Sequence, residues 1–217
     1  MHMGAAVVGV VGGVGGVGAS TFAAVLAARI GGVLLDIDAD GGGIDVLLGV
    51  EDVPGARWSA VRVAGGRIEP RELRDGLVRW GAVPVLAADA APPIDAVRAV
   101  LAAAAGLGPV VVDLGRAASA ARSVATDSCG LVVVLVPADV SGVAGARAVL
   151  RGIGTVRTGL VVRRGAIESD EVGDLVGVEV IGELPQLGAR AQRPLRVVRL
   201  PRPLVRIAAG VGDGLDR

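Results

Sequence analysis

The hydrophobic pattern of the chain alternates between two kinds of segment. Short runs such as "PVVVDLG" and "LVVVLVP" are apolar at nearly every position, rather than at every second one. A strand buried on one face alternates apolar with polar residues, and a strand covered on both faces does not. Between these runs lie Ala-rich segments of helical length. The order predicts strands at 6–11, 33–37, 83–87, 109–113, 131–136, 158–162 and 178–182. Helices are predicted at 20–30, 70–79, 93–105, 117–127, 141–151 and 168–176. Such alternation specifies a doubly wound α/β domain, a mostly parallel sheet of about seven strands with helices on both faces. No composition break, long linker or internal repeat divides it. Ligands of such sheets bind beyond the carboxyl ends of the strands, so residues that follow strands are the candidates for chemistry.

The first strand runs into "GGVGGVGAST", Gly12 to Thr21. With 35 glycines in 217 residues, a glycine pattern alone carries little weight, and its context has to decide. The loop follows an apolar strand and opens a helix through Ser20 and Thr21, both good helix-start residues. A helix N-terminus after a glycine turn aims backbone N–H groups and a positive dipole end at one spot, which suits an anion. Two motifs overlay these residues. Gly13, Gly15 and Gly18 satisfy G-x-G-x-x-G, the dinucleotide fingerprint, with Asp36 near the place of a ribose-binding acid. Gly13, Gly18 and Ser20 also satisfy G-x-x-x-x-G-K-[ST], except that Ala19 stands in place of lysine. A phosphate loop needs a hydroxyl at the helix start and an acid ending a later strand, both near magnesium. Ser20 and Asp113 supply them, which favours a nucleoside triphosphate over a dinucleotide.

Composition changes this picture in three places. The chain is 52% apolar and 20% charged with a formal net charge of zero, so no bulk field recruits nucleic acid or an anionic membrane. All 22 basic residues are arginine, so no lysine elsewhere can replace a missing one. A single cysteine, Cys129, excludes an intrachain disulfide and reads as a buried thiol in a cytoplasmic protein. The lone His2 belongs to "MHM", residues 1–3, expected to be a cloning remnant ahead of a single domain at 4–217. The apolar N-terminal run is broken by glycines and reads neither as a signal peptide nor as a membrane span.

Beyond the loop, Arg163 and Arg164 follow a predicted strand and are expected as a solvated strand end. Arg190, Arg193, Arg196, Arg199, Arg202 and Arg206 lie among apolar residues near the C-terminus. The prolines at 194, 201 and 203 prevent one continuous amphipathic helix, so arginine stems packed over the sheet edge are expected ahead of membrane contact. Trp58 and Trp80 read as hydrophobic cover, and Asp45 as a cap or flank of a short helix at 45–49.

With those residues in place, the sequence resembles the MinD/ParA group of deviant Walker ATPases. The resemblance runs through "GGVGGVGAST", "VLLDIDADGGGIDVLLG" at 33–49, "VVVDLGR" at 110–116 and "LVVVLVPADVSGVAGAR". The second block is the most specific, since Asp36, Asp38, Ile44-Asp45 and "LLG" reproduce the switch I segment of MinD-like proteins. "GARWSAVRVAGGRIEPRELRDGL", "DLGR" and "GLVVRRG" are similar to CpaE/TadZ-like proteins of actinobacteria, often described as septum-site determining. Their common N-terminal receiver-like domain has no counterpart in this sequence.

The resemblance implies a site. Gly13, Val14, Gly15, Gly16, Val17, Gly18, Ala19, Ser20 and Thr21 would wrap the phosphates of ATP or ADP, and Ser20 would approach Mg²⁺. Asp38 would position the attacking water and Asp113 would hold the metal, with Asp36 beside the loop and Pro137 bordering the base. The group's loop normally reads K-G-G-x-G-K-[ST], whereas the two lysine positions here are Val14 and Ala19. Each lost charge-assisted contact weakens binding by about 1.5–3 kcal/mol. Each lost donor to the transition state slows turnover on the order of 10² to 10³. The expectation is therefore an ATP-binding localisation or scaffold factor with slow ATPase activity at most. It would form a homodimer and serve pilus or secretion assembly or septum placement, recruited by partners to the pole, septum or inner membrane face. Two alternatives stay open: a nucleotide-independent interaction module, and an NAD(P)-binding Rossmann protein. The latter lacks a usable His, Tyr or Lys for hydride chemistry.

Overall fold

The computed structural model describes residues 6–63, 65–186, 195–196, 200 and 202–213. Eight strands form one sheet: β1 (Val7–Gly12), β2 (Val33–Asp36), β3 (Val78–Trp80), β4 (Val83–Leu86), β5 (Val110–Asp113), β6 (Leu131–Pro137), β7 (Thr158–Arg163) and β8 (Val180–Leu184). Their order is β3-β4-β2-β5-β1-β6-β7-β8, parallel throughout except for the antiparallel β3–β4 pair at one edge. Eight α-helices accompany them: α1 (Ala19–Ile30), α2 (Ile44–Leu48), α3 (Pro70–Gly76), α4 (Ile94–Ala105), α5 (Ala120–Asp127), α6 (Val140–Leu150), α7 (Ser169–Val176) and α8 (Arg202–Asp213).

The apolar strands are buried because successive side chains feed two separate cores. Val8 and Val10 of β1 and Leu34 of β2 pack with Phe22, Val25 and Leu26 of α1, Ile44 and Leu48 of α2, and Ile207 of α8. Val11, Val33, Leu35 and Val112 point the other way, onto Val97 of α4, Ala121 of α5, Ala146 of α6 and Val172 of α7. Phe22 and Leu26 are completely buried, each contributing roughly 1.5–3 kcal/mol of transfer free energy.

Three elements depart from the sequence expectation. The helix expected at 70–79 ends at Gly76, and Val78–Trp80 forms an eighth strand. Its buried–exposed–buried alternation is the mark of an edge strand rather than of a helix end. The helix α8 was not anticipated. It begins at Arg202 with Pro203 in its first turn, where the missing proline N–H breaks no helical bond. Its apolar residues Leu204, Ile207, Ala208 and Val211 are buried in the α1 core, so that face is not free for a membrane. Arg196, Arg202 and Arg206 are exposed, whereas Arg190, Arg193, Arg199, Pro194, Pro201 and residues 1–3 lie outside the described residues. No helix among the described residues is long and apolar enough to cross a membrane.

Candidate functional site

The sheet brings the carboxyl ends of β1, β2 and β5 together, because β1 and β2 each pair with β5. From β1 the chain turns through Gly13–Gly18 into α1. Gly13 N–H donates to Leu135 O at 2.7 Å and Phe22 N–H to Gly18 O at 2.9 Å. Among the described residues, no backbone N–H from Val14 to Thr21 finds a main-chain acceptor. Gly18 sits at the helix N-cap with φ 97°, a left-handed conformation open to glycine, and no side chain caps the helix. The loop thus presents a row of unspent donors at the positive end of a twelve-residue helix.

Those donors face a cavity of about 490 Å³. Val14, Gly15, Gly16, Val17, Gly18, Ala19, Ser20 and Thr21 form one wall; Asp36, Asp38, Asp113, Gly41–Gly43, Ile44, Val46, Leu47, Gly115 and Arg116 complete it. Gly13 and Pro137 lie outside this wall. Gly13 instead backs onto Val136 and Ala146, and Pro137 ends β6 in register with Arg163 of β7.

The acids are held by backbone geometry. Asp36 ends β2 and Asp113 ends β5 in direct register, both almost fully buried. Asp36 accepts from Asp38 N–H at 2.9 Å and from Ile44 and Ala88 N–H at 3.3 Å each. Burial, and then the neighbouring Asp113 charge, push its carboxyl up to about 7 against those three donors. Burial likewise lifts Asp113 to about 6; the Ser20 hydroxyl and Gly115 N–H oppose the rise, and the Asp38 charge adds to it. Asp38 is drawn close by Gly115, whose φ of 60° turns the chain at a point where a Cβ would stand 2.6 Å from that of Asp38. Three main-chain N–H donors, from Asp38, Ile44 and Ala88, and near-complete burial give Asp36 a structural role at the end of β2, which weighs against the dinucleotide reading.

The acids fit a magnesium ion only together with a ligand. No group of three His, Cys, Asp or Glu among the described residues is arranged to hold a metal by itself. Magnesium characteristically takes one or two carboxylates and completes its shell with phosphate oxygens and water. Ser20, Asp38 and Asp113 on one cavity are such a donor set, and burial, with repulsion between neighbouring acids, raises the carboxyls of Asp36 and Asp113 there.

Two arginines that sequence reasoning undervalued stand at the loop. Arg163 is not a solvated strand end. It is 8% exposed, and its guanidinium donates to Val17 O at 3.0 Å and to Pro185 O at 2.8 Å. Its Nη2 lies 3.0 Å from where a Cβ on Gly18 would be, and burial pulls its pKa down. Arg164 does follow the expectation, exposed and paired with Glu183 at 3.0 Å. Arg116 reaches the loop from the opposite side, its Nη2 3.7 Å from the position of a Cβ on Gly15. The sequence signal for Arg163 was its place one residue past the apolar run of β7, and for Arg116 its place three residues after Asp113. Neither spacing carries a distance to the loop. Trp58 and Trp80 are buried cover, with indole N–H groups donating to Asp36 O and Leu195 O. Asp45 lies in the first turn of α2, bonds Val46 N–H and pairs with Arg57 at 3.3 Å. Cys129 is buried, its thiol pushed up to about 12.

Comparison with known proteins agrees with this fold. The chain is similar to a ParA family ATPase from Chlorobium tepidum TLS, with a TM-score of 0.79, 16% identity and 98% of each chain covered. The fold is that of the MinD/ParA ATPases. Two MinD structures share it. The MinC:MinD cell division protein complex of Aquifex aeolicus gives a TM-score of 0.75 at 19% identity over 95% of each chain. MinD of Pyrococcus horikoshii OT3, complexed with Mg-ADP, gives 0.68 at 16% over 98% of this chain and 96% of its own. In sequence the chain is 38% identical over 191 residues to the uncharacterized proteins MT3760 and Rv3660c of Mycobacterium tuberculosis strains CDC 1551 and H37Rv. That match takes in 82% of this chain and 54% of each relative, so the chain spans about half the length of the curated relatives it matches. No protein-family model matches the chain.

Proposed function

We propose that this MinD/ParA-like domain binds Mg-ATP in the loop cavity and acts as a localisation factor, with slow ATP hydrolysis at most. The row of unspent N–H donors from Val14 to Thr21, opposite Asp38 and Asp113, carries the reading. In this role the loop amides hold the phosphates, while Ser20 and Asp113 hold the metal, which neutralises phosphate charge when bound. Asp38 orients the water for in-line attack. Slowness follows from Val14 and Ala19, which present no charge to the transition state.

The CpaE/TadZ-like resemblance points to pilus or secretion assembly or septum placement, through a nucleotide-dependent homodimer and protein partners inside the cell. Calorimetric titration of Mg-ATP tests the core of this. Saturable binding is expected, weakened by Ser20→Ala and by Asp113→Ala. A chain that takes up no nucleotide, and to which both substitutions make no difference, is instead an interaction module whose loop is only a turn.

A further inference from the structure

Arg116 is the sole basic residue among the described residues that line the cavity, which otherwise carries Asp36, Asp38 and Asp113. A nucleoside triphosphate brought there adds further negative charge, and Ala19 and Val14 offer none to balance it. The Arg116 guanidinium is exposed, and among the described residues it makes no ion pair and donates no hydrogen bond. Its backbone, by contrast, is fixed. Arg122 Nη1 donates to Arg116 O at 2.8 Å, and Arg122 is itself buried at the start of α5, where Ser119 caps the helix. On the other side Gly115 turns the chain against Asp38. A rigid root and an uncommitted cation, within 4 Å of the Gly15 position, form a pre-aimed arm over the loop.

We propose that Arg116 supplies in cis the positive charge missing from the loop, gripping the terminal phosphate of the bound nucleotide. This rests on the proposed nucleotide site and assigns it a specificity: triphosphate over diphosphate. A planar guanidinium pairs two phosphate oxygens at once, which an ammonium does not, so the substitution changes the grip and not only its origin. Arg163 does not serve in its place: it is buried, it is absent from the cavity wall, and its Nε and Nη1 donate to Val17 O and Pro185 O beneath the loop.

The experiment compares Mg-ATP and Mg-ADP affinities of the full chain with those of Arg116→Ala and Arg116→Lys, by calorimetry. Because Arg116 is exposed, the unliganded melting temperature of each variant is expected to match the native protein. Arg116→Ala should lose roughly 10- to 100-fold in Mg-ATP affinity, the worth of one charge-assisted contact, and less than about 3-fold for Mg-ADP. Arg116→Lys should fall between. Arg116→Ala binding both nucleotides as the native chain does would overturn the assignment while leaving the nucleotide site standing. Equal losses for both nucleotides would overturn the terminal-phosphate grip. Absence of binding by the native chain overturns the site and the assignment together.

Discussion

Asp113→Asn should make the nucleotide-free protein more stable and the nucleotide-bound protein less so. Asp113 is 4% exposed, and its carboxyl is lifted from 3.8 to about 6, while its register partner Asp36 stands at about 7. Both are raised in the folded chain, so folding takes up protons between about pH 4 and pH 7. Stability contributed by the protonated forms is complete below the unfolded value and is lost as pH rises through that window. For Asp113 alone the rise corresponds to roughly 3 kcal/mol against the ionised form. An asparagine removes that charge and relieves Asp36 as well, though its amide still has to find acceptors, at a cost of about 1 kcal/mol. The net expectation at pH 8 is a gain of about 2 kcal/mol, which moves a urea midpoint upward by roughly 0.5–1 M. Near pH 4 the two proteins should converge. Saturating Mg-ATP should then favour the native chain, since ligand at a hundred times its Kd stabilises by about 2.7 kcal/mol only where it binds. Urea melts at pH 4.5 and pH 8, with and without Mg-ATP, decide the matter. A nucleotide-free Asp113→Asn protein that melts earlier than native at pH 8 would refute the claim that this acid pair is kept at the expense of stability.

Two further outcomes follow from the loop. Ala19→Lys should tighten Mg-ATP about 10-fold or more by direct titration. Steady-state turnover should rise less than about 10-fold, because Val14, at the other lysine position, still carries no charge; fast turnover in this single variant would contradict the account. Arg163→Met keeps the buried stem and removes the donors to Val17 O and Pro185 O, so it should lower the unfolding free energy by about 1.5–3 kcal/mol in urea melts and weaken nucleotide binding with it.

Much of the fold was legible because burial on both faces of a parallel sheet leaves unbroken apolar runs, as β2, β5, β6 and β7 show. What escaped were elements defined by tertiary context. Val78–Trp80 is three residues long and gains its strand character only by pairing with β4. The helix α8 hides behind prolines that read as breakers until its start is known to fall at Arg202. The acids were legible for a different reason: a carboxylate closing an apolar strand has few structural excuses, and Asp36 and Asp113 each close one. The arginines were not legible. In a chain whose every basic residue is arginine, residue type distinguishes nothing, and Arg116 and Arg163 are separated in sequence from the loop they touch by roughly a hundred residues or more. The loop itself explains how such a replacement is tolerable. Its shape is set by main-chain bonds at Gly13 and Phe22, by the left-handed Gly18, and by Arg163 bracing Val17 O, none of which involves the side chains at 14 and 19. A cradle built from backbone survives the loss of its lysines, and leaves the source of the compensating charge free to move to whichever neighbouring strand end can reach it.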